Sequence, residues 1–142
     1  MHDIRLAKET DYEALMKLYN DFVGSDRYAK HDNDSFKKVL ENENNYILVV
    51  EDEEKLVAFA TFSVRDVVRY PRPIVELDEL FVASEYRQHG LGKKLLEKVE
   101  ALARERNCYR MFIESGYERE AAHAFYEALG YTNYGYHFTK NL

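Results

Sequence analysis

The chain has 142 residues, 26 acidic and 20 basic, with a formal net charge of −6. That length suits one domain, residues 1–142, able to bury about two-thirds of the surface its unfolded chain exposes. One cysteine, Cys108, excludes an internal disulfide framework and a four-cysteine zinc site, no apolar run approaches the ~18 residues of a membrane span, and the acidic balance argues against nucleic acid and anionic membranes as partners. Met1-His2-Asp3-Ile4-Arg5 lacks the basic start and apolar stretch of a signal peptide, so a cytoplasmic location is expected.

In chain order, Ile4-Arg5-Leu6 reads as a short strand. Thr10-Asp11-Tyr12-Glu13 has the form of a capping box, with Thr10 accepting from the backbone three residues on and Glu13 reaching back. Leu15, Leu18, Tyr19 and Phe22 then mark one face of a helix that stops near Gly24. Asp34 can cap a second helix over Ser35 to Glu41, with Phe36, Val39 and Leu40 inward. Tyr46 to Val50 is a strand by its β-branched content, Asp52 to Lys55 a polar turn, and Leu56 onward the second arm of a hairpin running toward Val68. Tyr70-Pro71-Arg72-Pro73 makes a loop, because proline removes ladder donors. Ile74 to Val82 is a further strand.

Beyond Val82 the period becomes helical. Leu91, Leu95, Leu96, Val99, Leu102 and Ala103 form an apolar stripe from Gly90 to about Arg106. Met111-Phe112-Ile113 reads as a buried strand, and Arg119 to Leu129 as a helix stopped by Gly130, with Ala122, Phe125 and Leu129 inward. Tyr131 to Lys140 has room for two short strands around Gly135. The order β-α-α-β-β-β-α-β-α-β-β predicts a mixed α/β sheet with helices packed on it.

The sharpest local feature is Arg87-Gln88-His89-Gly90-Leu91-Gly92-Lys93, where a strand hands over to the long helix. Unpaired N–H groups and the positive end of the helix dipole converge there. Two glycines permit close approach of backbone to a ligand, and Arg87, Lys93 and Lys94 add positive charge. The combination suits a phosphate or pyrophosphate. It is neither a Walker loop, since no Gly-Lys-Ser/Thr follows, nor the dinucleotide fingerprint, which needs a third glycine.

Leu80-Phe81-Val82-Ala83-Ser84-Glu85-Tyr86 together with that turn resembles the acyl-CoA-binding signature of the GNAT superfamily of N-acetyltransferases, Arg/Gln-x-x-Gly-x-Gly/Ala at a strand-to-helix junction. Glu120 to Tyr131, containing Ala122, Phe125-Tyr126 and Gly130-Tyr131, resembles the superfamily's second segment, Ala-x-x-Phe-Tyr-x-x-x-Gly-Phe/Tyr. The resemblance implies a single-domain, mostly antiparallel mixed sheet with helices on both faces, and splayed strands that bind acetyl-CoA. It implies that Gln88, His89, Gly90, Leu91 and Gly92, with Arg87 and Lys93, hold the pyrophosphate. Backbone groups of Leu80, Phe81 and Val82 would pair with the pantetheine arm as an added strand would. The superfamily's frequent asparagine near the start of the last helix is Arg119 here.

Amide formation from a thioester needs a neutral amine, yet a primary amine with a pKa near ~10.4 arrives protonated. A carboxylate can relay that proton away. Glu76-Leu77-Asp78-Glu79 offers three, and strand alternation puts Glu76 and Asp78 on one face and Glu79 on the other. The superfamily's glutamate base, four residues before the Leu80 position, selects Glu76, with Asp78 as second choice. Tyr126 matches its general acid, a phenol of pKa ~10 donating to a thiolate. The oxyanion donor would be a backbone N–H near Phe81 or Val82. His31, His89, His123 and His137 show no paired metal spacing, so no metal is expected.

The acceptor is expected to be the primary amine of a small molecule; the resemblance implies that the first two helices, their loop and the hairpin meet it, here Tyr28, His31, Asp32, Asn33 and Asp34 with Arg65, Arg69 and Tyr70. Segments around Glu76 to Leu80 and His123 to Tyr131 are also similar to aminoalkylphosphonate N-acetyltransferases. A protein lysine or N-terminal acceptor stays open, as does a non-catalytic acyl-CoA sensor. The aromatic stretch Tyr134, Tyr136 and Phe138 close to the terminus leads us to expect a homodimer, because natural proteins seldom leave an apolar sheet edge open.

Overall fold

The computed structural model describes residues 2–24, 33–115 and 119–142. The chain divides into two compact units, Met1–Phe112 and Ile113–Leu142. Among the described residues five strands form one mixed sheet in the order β1-β2-β3-β4-β5, with β1 at Asp3–Leu6, β2 at Asn45–Asp52, β3 at Lys55–Arg65, β4 at Ile74–Val82 and β5 at Arg110–Ile113. The pairs β1/β2, β2/β3 and β3/β4 are antiparallel. Among the described residues no helix is long and apolar enough to cross a membrane.

Helix α1, Tyr12–Val23, and helix α2, Asn33–Glu41, cover one face of the sheet. Leu15, Leu18 and Phe36 from these helices pack with Ile47, Val49, Phe59 and Phe81. Phe59 is fully buried at the centre, where it touches the rings of Tyr19, Phe22 and Phe81. Burying one such side chain stabilises the fold by about 2–3 kcal/mol. The opposite face carries Leu48, Val50, Ala58, Ala60 and Leu77, each at most 1% exposed. Helix α3, Leu91–Glu105, packs on β3 and β4 and supplies Leu91, Leu95, Leu96, Val99 and Ala103 to the core. At its far end Arg106 donates to the Tyr46 hydroxyl (2.5 Å) and to Asn44 Oδ1 (2.8 Å), tying the helix to the start of β2.

Four local expectations are corrected. Thr10 does not cap α1. The chain is already helical in a 3-10 turn at Glu9–Asp11, and it is Asp11 that reaches back, its Oδ2 accepting from the Lys8 N–H at 2.7 Å. Val39 is on the exposed side of α2, whose inward line runs through Phe36 and, one turn on, the half-buried Leu40. The hairpin arm ends at Arg65 and Val68 is fully exposed. In the second unit, Tyr131–Leu142 forms no strand. A strand exists only as part of a ladder, and the alternating aromatics supply a pattern of faces without supplying a neighbouring backbone; Tyr134, Tyr136 and Phe138 are 68%, 76% and 90% exposed. Among its described residues that unit holds helix α4, Glu120–Ala128, with Arg119 before it and the left-handed Gly130 (φ 94°) after it.

Candidate active site

The turn from β4 to α3 has an unusual backbone. A 3-10 turn at Ser84–Tyr86 is followed by Arg87 in extended conformation, then Gln88 at φ 66° and Gly90 at φ 75°, immediately before Leu91 opens α3. No side chain caps the helix, so its first N–H groups are left for solvent or ligand. A Cβ on Gly90 would meet nothing within 4 Å. Glycine is required there by the left-handed backbone, not by crowding, which refines the expectation that it clears space. His89 and Gly90 are exposed, as is Arg87. Arg87 turns back, its Nε donating to the Val82 carbonyl at 2.9 Å and its guanidinium lying 5.5 Å from the Phe81 ring centre.

Beside this turn lies a cleft of about 640 Å³. One wall is the last turn of α1, with Asn20, Asp21 and Gly24; the other runs from the end of β4 into the turn beyond it, with Phe81, Ala83, Ser84, Glu85 and Arg87. Gly24 has φ 71° and its N–H bonds the Asn20 carbonyl at 2.8 Å, so α1 stops there.

Strand β4 is longer than its outer neighbour. β5 begins beside the start of β4, where the Tyr109 N–H bonds the Pro73 carbonyl at 2.7 Å. Its four residues reach about 13 Å along a nine-residue strand of about 30 Å. Leu80, Phe81 and Val82 pair with Ala60, Phe59 and Ala58 of β3 on one side. On the other side the four residues of β5, counted from the Tyr109–Pro73 bond, end short of their level, where the resemblance places a ligand strand.

The carboxylates do not follow simple alternation. Thr61 pairs with Glu79 and Phe62 with Leu77, so Asp78 is an extra residue, a β-bulge. The bulge shifts the phase: Glu76, opposite Ser63, and Glu79, opposite Thr61, lie on one face, and Asp78 is exposed between them. Glu76 forms an ion pair with Arg65 at 3.3 Å. Glu79 accepts from the Tyr19 hydroxyl of α1 at 2.9 Å and from the Thr61 hydroxyl of β3. Burial pushes the Tyr19 phenol far above its ordinary range, and the Glu79 charge adds to that, so Tyr19 is a donor at every working pH. Sequence reasoning misses Tyr19 and Thr61 as polar partners, since both sit at positions that read as core.

In the second unit Tyr126 is the buried residue of α4. Its ring meets Phe125 at 5.5 Å and Tyr131 at 6.1 Å. Burial raises its pKa and the Arg119 charge opposes the shift. Arg119 stands at the helix start, its carbonyl accepting from the His123 N–H. Of the acceptor residues expected from the sequence, Tyr28, His31 and Asp32 lie outside the described residues. Asn33 and Asp34 are exposed in the first turn of α2. Arg69 lies 4.9 Å from the Tyr70 ring centre. Cys108 is half-buried, which pushes its thiol pKa up.

The pattern that describes the acetyltransferase (GNAT) family matches residues 12–131. The chain belongs to that family. As a member it is an acetyl-CoA-dependent acetyltransferase with the family's α/β fold. It is 32% identical over 111 residues to an uncharacterised N-acetyltransferase of Archaeoglobus fulgidus, covering 74% of this chain and 76% of the relative. It is 28% identical over 101 residues to the aminoglycoside N(6')-acetyltransferase type 1 of Acinetobacter baumannii, covering 68% and 69%. In fold it is similar to an aminoglycoside acetyltransferase from an uncultured soil metagenomic sample solved with trehalose, with a TM-score of 0.89, 22% identity and coverage of 99% and 96%.

Proposed function

We propose that this acetyltransferase, acting as a single domain over residues 1–142, moves an acetyl group from acetyl-CoA to the primary amine of a small molecule by direct attack. The observation that carries the reading is that β5 stops short of Leu80–Val82, where β4 leads into the left-handed Gly90 turn. An edge at Leu80, Phe81 and Val82 suits the amide groups of a pantetheine arm. The unpaired N–H groups around Gly90, Leu91 and Gly92, flanked by Gln88, His89, Arg87 and Lys93, suit a pyrophosphate. The small-molecule reading draws support from the aminoglycoside acetyltransferases among the similar proteins.

When bound, acetyl-CoA supplies an activated acyl carbon and a thiolate leaving group. The chain's own residues then have three tasks. Glu76, or Asp78 through water, takes the proton of the incoming ammonium. A backbone N–H near Phe81 or Val82 donates to the developing oxyanion. Tyr126, kept protonated by burial, donates to the departing sulfur. Arg65 pairs with Glu76 at 3.3 Å and so orients its carboxylate. We also assign the enzyme to the cytoplasm and infer a homodimer that covers Tyr134, Tyr136 and Phe138.

The test is calorimetry with acetyl-CoA, followed by a panel of small amines and a lysine peptide with thiol release as the signal. Binding with turnover of a small amine supports the proposal. Absence of acetyl-CoA binding by the wild type removes it, and turnover of the peptide alone would transfer the acceptor to proteins.

A further inference from the structure

We infer that Glu79 is the residue that binds the ammonium group of the acceptor, holding it on the α1 side of β4 before Glu76 or Asp78 acts as base. The inference rests on the acetyltransferase reading and adds an acceptor-recognition residue to it.

Three observations carry it. Strand alternation places Glu79 on the same face as Phe81, two residues and about 7 Å before a ring that lines the cleft, and the bulge at Asp78 brings Glu76 onto that face as well. Only one of its carboxylate oxygens is occupied: Oε1 accepts from both Tyr19 and Thr61, and Oε2 accepts from none of the described residues. That second oxygen is not sealed in, because Ser115 Oγ is the only buried side-chain polar atom without a partner among the described residues. Finally, both donors are neutral. Glu76 faces Arg65, whereas no Lys, Arg or His among the described residues stands within ion-pair distance of Glu79. A half-buried carboxylate clamped by two hydroxyls and lacking a cation is oriented for one. Tyr19 and Thr61 fix its direction without neutralising it. The ligand chemistry is a protonated aliphatic amine.

The probes are 1,4-diaminobutane and 1,4-butanediol, which differ in charge and hardly in shape. Calorimetry on the wild type is expected to show the diamine binding and the diol not. Glu79→Gln keeps a carbonyl oxygen for both hydroxyls, so it preserves a merely structural role while removing the charge. It is expected to weaken diamine binding about tenfold or more, the loss of one charge-assisted hydrogen bond. Glu79→Asp, which keeps the charge, is expected to retain part of it. Equal binding of diamine and diol, or unchanged diamine affinity in Glu79→Gln, overturns the inference, as does failure of the diamine to bind the wild type at millimolar concentration. Acetyl-CoA titrated into the same samples tests the parent reading separately. Loss of acetyl-CoA binding with Glu79-dependent diamine binding would sink the parent reading and leave the amine site.

Discussion

Asp11 grips Arg5 with both carboxylate oxygens, at 2.8 and 3.0 Å, joining the turn before α1 to strand β1. The same guanidinium reaches Glu51 of β2 at 3.0 Å, so one arginine fastens the first helix to the first two strands. The Arg5 hydrogen bonds hold the Asp11 carboxyl below its ordinary pKa of 3.8, against the opposing effect of burial. A depressed carboxyl contributes stability that is present above its unfolded pKa and lost as pH falls through the folded one. Thermal unfolding should therefore show Tm declining below about pH 4. Asp11→Asn should cost about 1–3 kcal/mol at neutral pH, because Arg5 is left half-buried with a weaker partner, and should flatten that acid decline. An Asn variant as stable as wild type would show that the clamp contributes nothing.

Gly90 separates backbone from bulk. Since its Cβ position is open, Gly90→Ala should cost about 1 kcal/mol for the left-handed φ alone and leave acetyl-CoA binding measurable. Gly90→Asp adds a negative charge at the expected pyrophosphate and should abolish binding. Calorimetry on both variants checks the pair; equal affinities would dissociate the turn from the cofactor.

Tyr126→Phe should lower kcat far more than it weakens acetyl-CoA binding. Its phenol pKa is raised, so no alkaline loss of activity below about pH 10 should belong to it. Unchanged kcat, with chemistry shown to limit the rate, would remove the general-acid role.

Glu76→Gln should move the pH–rate profile to higher pH, because the amine must then lose its proton unaided. The Arg65 ion pair gives a second handle: Arg65→Gln releases the Glu76 carboxylate from the partner that orients it and should lower kcat if that orientation serves the reaction. A profile that does not move in Glu76→Gln assigns the proton to Asp78 or to a water chain.

Sedimentation at micromolar concentration should give twice the one-chain mass of 16.8 kDa. Replacing Tyr136 and Phe138 by serine should shift it toward one chain. A single-chain mass for the wild type across the concentration range would sink the dimer.

Repeating patterns are the part of this fold that the sequence displays. The six-residue α3 stripe contains all five core residues that helix supplies, with Leu102 half-buried at its margin, because apolar side chains at helical spacing leave one solution. The proline loop ending at Pro73 and the change to helical period beyond Val82 bound Ile74–Val82 correctly. The faces of that same strand depart from expectation at one point. Alternation assumes two residues per pleat, and nothing in Leu77-Asp78-Glu79 announces that Asp78 is surplus. The bulge appears only in register with β3. The tail misleads for a related reason: Tyr134, Tyr136 and Phe138 alternate as a strand would, but pairing is a property of two segments and a sequence displays one. The Glu79 network escapes sequence reasoning because Tyr19 and Thr61 show their hydroxyls only once α1 is laid on β3.

Nine residues of β4 stand against eight of β3. The strand is one residue longer than its own pattern of faces needs. Removing Asp78 altogether would restore an unbroken pleat and leave Ile74, Leu77, Glu79 and Phe81 on the faces they already occupy. Exchanging Asp78 for another residue keeps the kink and changes the chemistry; deleting it keeps the neighbours and straightens the kink. Few strand positions allow shape and charge to be varied one at a time, and here the choice between excision and replacement does so at a single codon.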